Sequence, residues 1–131
     1  MSQKDQVEKI ILEGISYAKL EKHKDAISFF DKALKQVPEN VDALYNKGMS
    51  LLKIKKTKDA ISCFEKIISH DPNHVDALNN LGNHFAELQQ FEKALTYYDK
   101  ALSNDPLYIP TLYNKGITAI RLERYDDALD C

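Results

Sequence analysis

The tetrapeptide YNKG occurs twice, at residues 45–48 inside ALYNKGMSLLKI (43–54) and at 113–116 inside TLYNKGITAIRL (111–122). The offset between the copies, 113 minus 45, is twice 34, and the glycines decide whether 34 is the period. There are four, Gly14, Gly48, Gly82 and Gly116, and every interval is 34. Alanines follow in one column at Ala26, Ala60, Ala94 and Ala128, and Pro38, Pro72 and Pro106 keep the same frame without an insertion or deletion. Such a period marks an internally duplicated array.

Within a unit, Leu44, Leu51 and Ile54, then Ala60, Ile61, Phe64, Ile67 and Ile68, recur at spacings that place each set on one face of a helix. Short polar stretches such as KKTKD and ELQQFE separate the halves, and the proline after HD or ND disfavours helix at the residue before it. Each unit therefore reads as two antiparallel helices. The frame predicts helices near 7–20, 24–37, 41–54, 58–70, 75–88, 91–104 and 109–122. Glycine on the Leu44 face leaves room for close approach of the second helix, with Leu51 and Phe64 filling the space beside it.

These columns resemble the tetratricopeptide repeat. Its order of aliphatic, Gly, aromatic or aliphatic, Ala, aromatic, Ala and Pro is matched by Ile10, Gly14, Tyr17, Ala26, Phe30, Ala33 and Pro38. It is matched again by Leu78, Gly82, Phe85, Ala94, Tyr98, Ala101 and Pro106. The middle unit carries Leu44, Gly48, Leu51, Ala60, Phe64, Ile67 and Pro72. The tryptophan often found at the start of such a unit is absent from the chain. The resemblance implies an all-α, right-handed α-solenoid of antiparallel helix pairs. It is expected to form one array over 1–131, with repeats 7–40, 41–74 and 75–108 and a partial repeat 109–131. The partial unit keeps Leu112, Gly116 and Ala128 and stops before its aromatic column.

Composition narrows the function. Lys and Arg number 18 against 20 Asp and Glu, so the chain has no basic field for nucleic acid. No apolar run reaches the roughly 18 residues of a membrane span. A cytoplasmic location without a membrane role is the expectation, and Cys63 and Cys131 are expected to be unbridged.

The resemblance places the first helix of each unit on the concave side of the superhelix. Asn46 lies about 200° round the helix from the core contact, on a stripe with Asp42, Tyr45 and Met49. The equivalent stripes read Glu8, Ile11, Leu12 and Ile15 in the first unit and Tyr113, Asn114 and Ile117 in the last. Apolar residues on a face the helix pair does not use point to a binding surface. Asn46, Asn80 and Asn114 share one column, flanked by Asn79 and Asn83. An amide can pair with the backbone of a bound chain, and the column resembles the asparagine ladder of the O-linked N-acetylglucosamine transferase superhelix. The candidate peptide contacts are Tyr45, Asn46, Met49, Asn79, Asn80, Asn83, Tyr113, Asn114 and Ile117.

The carboxylate clamp by which some members of the family hold heat-shock chaperone C-termini needs cations at set positions. Here those positions read Ile11, Ile15, Asn46, Asp76 and Asn80, and one unit further on Tyr45, Met49, Asn80, Pro110 and Asn114, so the clamp is not expected. His70 and His74 stand four apart, but Pro72 between them breaks the helix that zinc binding would require. His23 and His84 have no nearby Cys or His partner. Neither a metal, a cofactor nor catalytic machinery is expected. The reading is an interaction scaffold for a peptide or helical segment of a partner protein. The alternatives are an architectural subunit that self-associates through its C-terminal end, or a regulatory piece of a larger protein.

Overall fold

The computed structural model describes residues 2–130. Among them there are seven α-helices and no strand: α1 (Gln3–Lys19), α2 (His23–Gln36), α3 (Val41–Lys53), α4 (Thr57–His70), α5 (Val75–Glu87), α6 (Phe91–Asn104) and α7 (Ile109–Asp130). They fall into two compact units, Met1–His70 and Asp71–Cys131. The all-α array of helix pairs expected from the repeat frame is present.

In the first unit α1 packs on α2 and α3 on α4, and α2 also packs on α3. Its core holds Val7, Ile11, Ala26, Phe30, Ala33 and Ala43, with Leu44, Leu51, Ala60, Phe64 and Ile67 equally buried. In the second unit α5 packs on α6 and α6 on α7, around Leu78, Leu81, Ala94, Tyr98 and Ala101. Full burial of one such large side chain contributes about 1.5–3 kcal/mol.

The glycine column serves the aromatic column. A Cβ built on Gly14 would lie 2.5 Å from Phe30 Cε1, one on Gly48 would lie 2.9 Å from Phe64, and one on Gly82 would lie 2.6 Å from Tyr98 Cδ1. Glycine thus admits an aromatic ring sixteen residues downstream, where the spacing alone suggested helix-to-helix approach in general. On Gly116 a Cβ meets nothing within 4 Å.

The turn inside each helix pair is a Schellman cap. Lys22 N–H donates to Tyr17 O, Lys56 N–H to Leu51 O and Gln90 N–H to Phe85 O, at 3.0, 2.9 and 2.9 Å. Such a cap puts one residue in the left-handed region, usually glycine, yet here it is Glu21 (φ 62°), Lys55 (φ 66°) and Gln89 (φ 61°). At the start of the next repeat, a side chain caps its first helix: Asn40 Oδ1 accepts from Ala43 N–H at 2.9 Å and His74 Nδ1 from Ala77 N–H at 3.1 Å. Ser2 Oγ does the same for α1, accepting from Asp5 N–H at 3.2 Å. The capped α1 begins four residues before its predicted start.

The last helix departs from the frame. Glu123 is the equivalent of Glu21, Lys55 and Gln89, but α7 runs straight through it to Asp130 in place of the predicted end at 122. A left-handed non-glycine residue costs about 1–2 kcal/mol, and α7 takes no such turn at Glu123.

The lysine of YNKG ties each unit internally. Lys47 Nζ lies 2.6 Å from Asp31 Oδ1, joining α3 to α2, and Lys115 Nζ lies 2.7 Å from Asp99 Oδ1, joining α7 to α6. Both partners of the second bridge sit two repeat periods after those of the first, so the repeated tetrapeptide reflects a repeated helix contact. As partly exposed pairs these fix orientation more than they stabilise.

Candidate functional site

The first helices carry the residues singled out above, and each unit gathers some of them. In the first unit, α1 and α3 border an open groove of about 410 Å³ lined by Glu8, Ile11, Leu12, Ile15, Asp42 and Asn46. Leu12 is 63% exposed at its side, whereas Ile11 is 5% exposed at its floor. Ile11 therefore corrects the expectation of a wholly outward stripe: it belongs to the core with Val7, Phe30 and Ala43, because α1 also lies against α3. In the second unit, Asn83, Asn114 and Ile117 meet Tyr98 and Arg121 around a smaller depression of about 250 Å³.

The asparagines do different work. Asn46 Nδ2 donates to Asp42 O and Asn80 Nδ2 to Asp76 O, each at 2.8 Å, one turn back on its own helix. Their Oδ1 atoms are left as acceptors. Asn79 is not outward: at 7% exposure its Oδ1 accepts from Thr111 Oγ1 at 2.8 Å and from Asn114 Nδ2 at 3.3 Å, binding α5 to α7. Asn83 Oδ1 accepts from the Tyr98 hydroxyl at 2.7 Å. Burial raises the Tyr98 phenol above the ordinary tyrosine value, opposed by a hydrogen bond with Thr118 and the charge of Arg121, and reinforced by Glu87.

Of the apolar candidates, half-buried Tyr45 leans on Phe64, with ring centroids 6.1 Å apart, and Met49 is also half-buried. Tyr113 is 68% exposed and Ile117 40%. The groove's own Glu8, Leu12 and Ile15 were visible as a stripe but not as a joint lining with Asp42 and Asn46. Thr111 and Thr118 are buried in the columns of Ala43 and Ala77 and of Ser50, two columns not used above.

The histidines are engaged in structure. His70 ends α4 with Nε2 3.5 Å from Glu39 Oε1, while His74 is the cap before α5, so the two do not share a helix. His23 bridges Ser50 Oγ (3.4 Å) and Glu21 Oε2 (2.9 Å). Cys63 is buried, which pushes its thiol above the ordinary value, with Lys47 opposing. Cys131 lies outside the described residues. Among the described residues no helix is long and apolar enough to cross a membrane, and no group of three or more His, Cys, Asp or Glu is placed to hold a metal.

Comparison with solved structures finds the same fold repeatedly. MamA 41-end from Desulfovibrio magneticus RS-1 is 31% identical, with 95% of this chain and 70% of that chain covered and a TM-score of 0.79. YrrB, described as a TPR protein with an unusual peptide-binding site, is 29% identical over 84% of this chain and 57% of its own, with a TM-score of 0.75. The first TPR of Spaghetti (RPAP3), bound to the HSP90 peptide SRMEEVD, shares the fold at 20% identity, covering 91% and 94%, with a TM-score of 0.84. A search of curated proteins finds no match. The family described as "Psidin, N-terminal TPR repeats region" matches residues 15–130. With that match over most of its length, and the glycine, alanine and aromatic columns packed as they are, the chain belongs to this family of tetratricopeptide-repeat proteins.

Proposed function

We propose that the chain is a non-enzymatic interaction scaffold that holds a peptide or helical segment of a partner protein on its first-helix face, the concave side in this family. The observation that carries this reading is the groove between α1 and α3, where aliphatic side chains stand open beside amide and carboxylate acceptors. Exposed apolar surface rimmed by polar groups is a mark of a docking site. Peptide binding by YrrB and by the Spaghetti domain supports the same class of function. Each unit offers its own contacts: Leu12, Ile15 and Asn46 in the first, with Tyr45 and Met49 at the margin, and Asn83, Asn114 and Ile117 in the second, with Asn80 and Tyr113 at the margin. Asn79 acts behind them by holding Asn114.

A photo-crosslinking amino acid at Leu12 should capture the partner in a cell extract. The same probe at exposed Ser28 on α2 should not. Equal capture from both sites, or none from Leu12, overturns the reading.

A second reading, self-association through α7, is favoured by Leu112 (44% exposed), Ile120 (52%) and Leu129 (69%), together with the open face of Gly116. Sedimentation across a concentration series should then show a dimer that Ile120→Lys dissolves. A monomer at every concentration overturns it.

A further inference from the structure

The groove between α1 and α3 has a charge as well as a shape. Its polar lining consists of Glu8, Asp42 and Asn46, and no lysine or arginine takes part. Among the described residues neither carboxylate forms an ion pair with a lysine or arginine within 4.0 Å, since the charged pairs lie elsewhere, at Glu21, Asp31, Glu39 and Asp99. The Asn46 amide nitrogen is already turned to the Asp42 carbonyl at 2.8 Å, so its outward oxygen accepts. The apolar part is aliphatic: Leu12 at the side, Ile15 half-buried and Ile11 beneath. The sequence repeats the acidic position, because Glu8, Asp42 and Asp76 stand one repeat period apart. In the second unit the equivalent Asp76 already accepts from the Tyr108 hydroxyl, whereas among the described residues no side-chain donor meets Glu8 or Asp42 in the groove.

We propose that this groove selects basic, aliphatic segments, in which Lys or Arg flanks an aliphatic anchor, and rejects acidic peptides. The proposal rests on the first-helix reading above and adds the chemistry of the occupant. A bound cation supplies the donors that Glu8, Asp42 and the Asn46 oxygen lack, and charge-assisted hydrogen bonds are the stronger kind. An aliphatic side chain between the cations covers Leu12 and Ile15. An acidic segment would set carboxylate against carboxylate with no cation to relieve it, which is discrimination by repulsion. The opposite sign of ligand, the acidic SRMEEVD, is the one in the Spaghetti complex.

The test is a selection from a random seven-residue peptide display library on the full chain, followed by binding measurements with the recovered peptides. Enrichment of Lys or Arg next to Leu, Ile, Val or Met is expected. Affinity should fall about fivefold or more in the paired variant Glu8→Gln with Asp42→Asn, and likewise between about 50 and 500 mM salt. Leu12→Asp should abolish binding, with melting temperatures recorded for each variant to show that it folds. Recovery of acidic peptides overturns the charge proposal alone. So do peptides that are lost with Leu12→Asp but indifferent to the paired variant and to salt. Recovery of no peptide, or of peptides insensitive to Leu12→Asp, overturns the first-helix reading as well.

Discussion

The Tyr98 ring fills the space that a side chain on Gly82 would need, so that a Cβ on the glycine would fall 2.6 Å from Tyr98 Cδ1. Tyr98 is 1% exposed, so its ring yields only by disturbing the packing around it. Gly82→Ala should therefore destabilise the second unit by about 1–3 kcal/mol through overpacking. Gly116→Ala should stabilise by up to about 1 kcal/mol, because alanine is the better helix former and the new methyl meets nothing. Urea denaturation of both variants checks the pair. Equal effects would show that the glycine column answers to something other than the ring.

The same tyrosine predicts a pH dependence. The fold keeps the Tyr98 phenol protonated above its ordinary value, whereas an unfolded chain ionises it near pH 10. Above that pH the unfolded state releases a proton that the folded state retains, so stability falls as pH rises; below it this contribution is constant. Tyr98→Phe should remove that part of the alkaline slope, leaving the part from Cys63, whose thiol is raised in the same direction. At neutral pH the variant should cost about 1 kcal/mol, from the hydrogen bond to Asn83. An unchanged slope above pH 10 would contradict the assignment.

The turn column supports a further prediction. Gln89 holds a left-handed backbone at φ 61° inside a Schellman cap, so Gln89→Gly should stabilise by about 0.5 kcal/mol or more. Its equivalent Glu123 lies inside α7, where Glu123→Gly should instead speed amide exchange over 124–129 by weakening the helix. Opposite signs at equivalent positions are the expected result. The same sign at both would mean that α7 bends at Glu123 in solution.

The fold was legible because the repeat frame is written in residues with one steric role each: glycine under a ring, alanine against a helix, proline at a break. Helix ends were less so. Ser2 extends α1 through a cap that no repeat shares, and α7 continues through Glu123, where the equivalent Glu21, Lys55 and Gln89 turn. At the site, helical spacing identified the stripe but could not tell a side chain facing solvent from one facing the neighbouring first helix. That is why Ile11 is core and why Asn79 turned out to be buried. Partners such as Thr111 for Asn79, distant in sequence, follow from how α7 packs on α5, and no local spacing encodes that.

The two asparagine roles can be separated by one comparison. Asn79 Oδ1 is the acceptor for Thr111 Oγ1, and Thr111 is fully buried, so Asn79→Ala strands a hydroxyl and should cost about 1–3 kcal/mol. Asn46 bonds to the carbonyl one turn back on its own helix. Asn46→Ala should leave the melting temperature unchanged or slightly raised, since alanine is the better helix former. The same change should weaken a peptide recovered on the first-unit groove by about fivefold, the loss of one net hydrogen bond of about 1 kcal/mol. Denaturation and peptide titration on the two variants therefore report different things. A destabilisation by Asn46→Ala as large as that of Asn79→Ala would make Asn46 structural as well. If Asn46→Ala changes neither stability nor affinity, the groove holds its ligand by Leu12, Ile15 and the carboxylates alone.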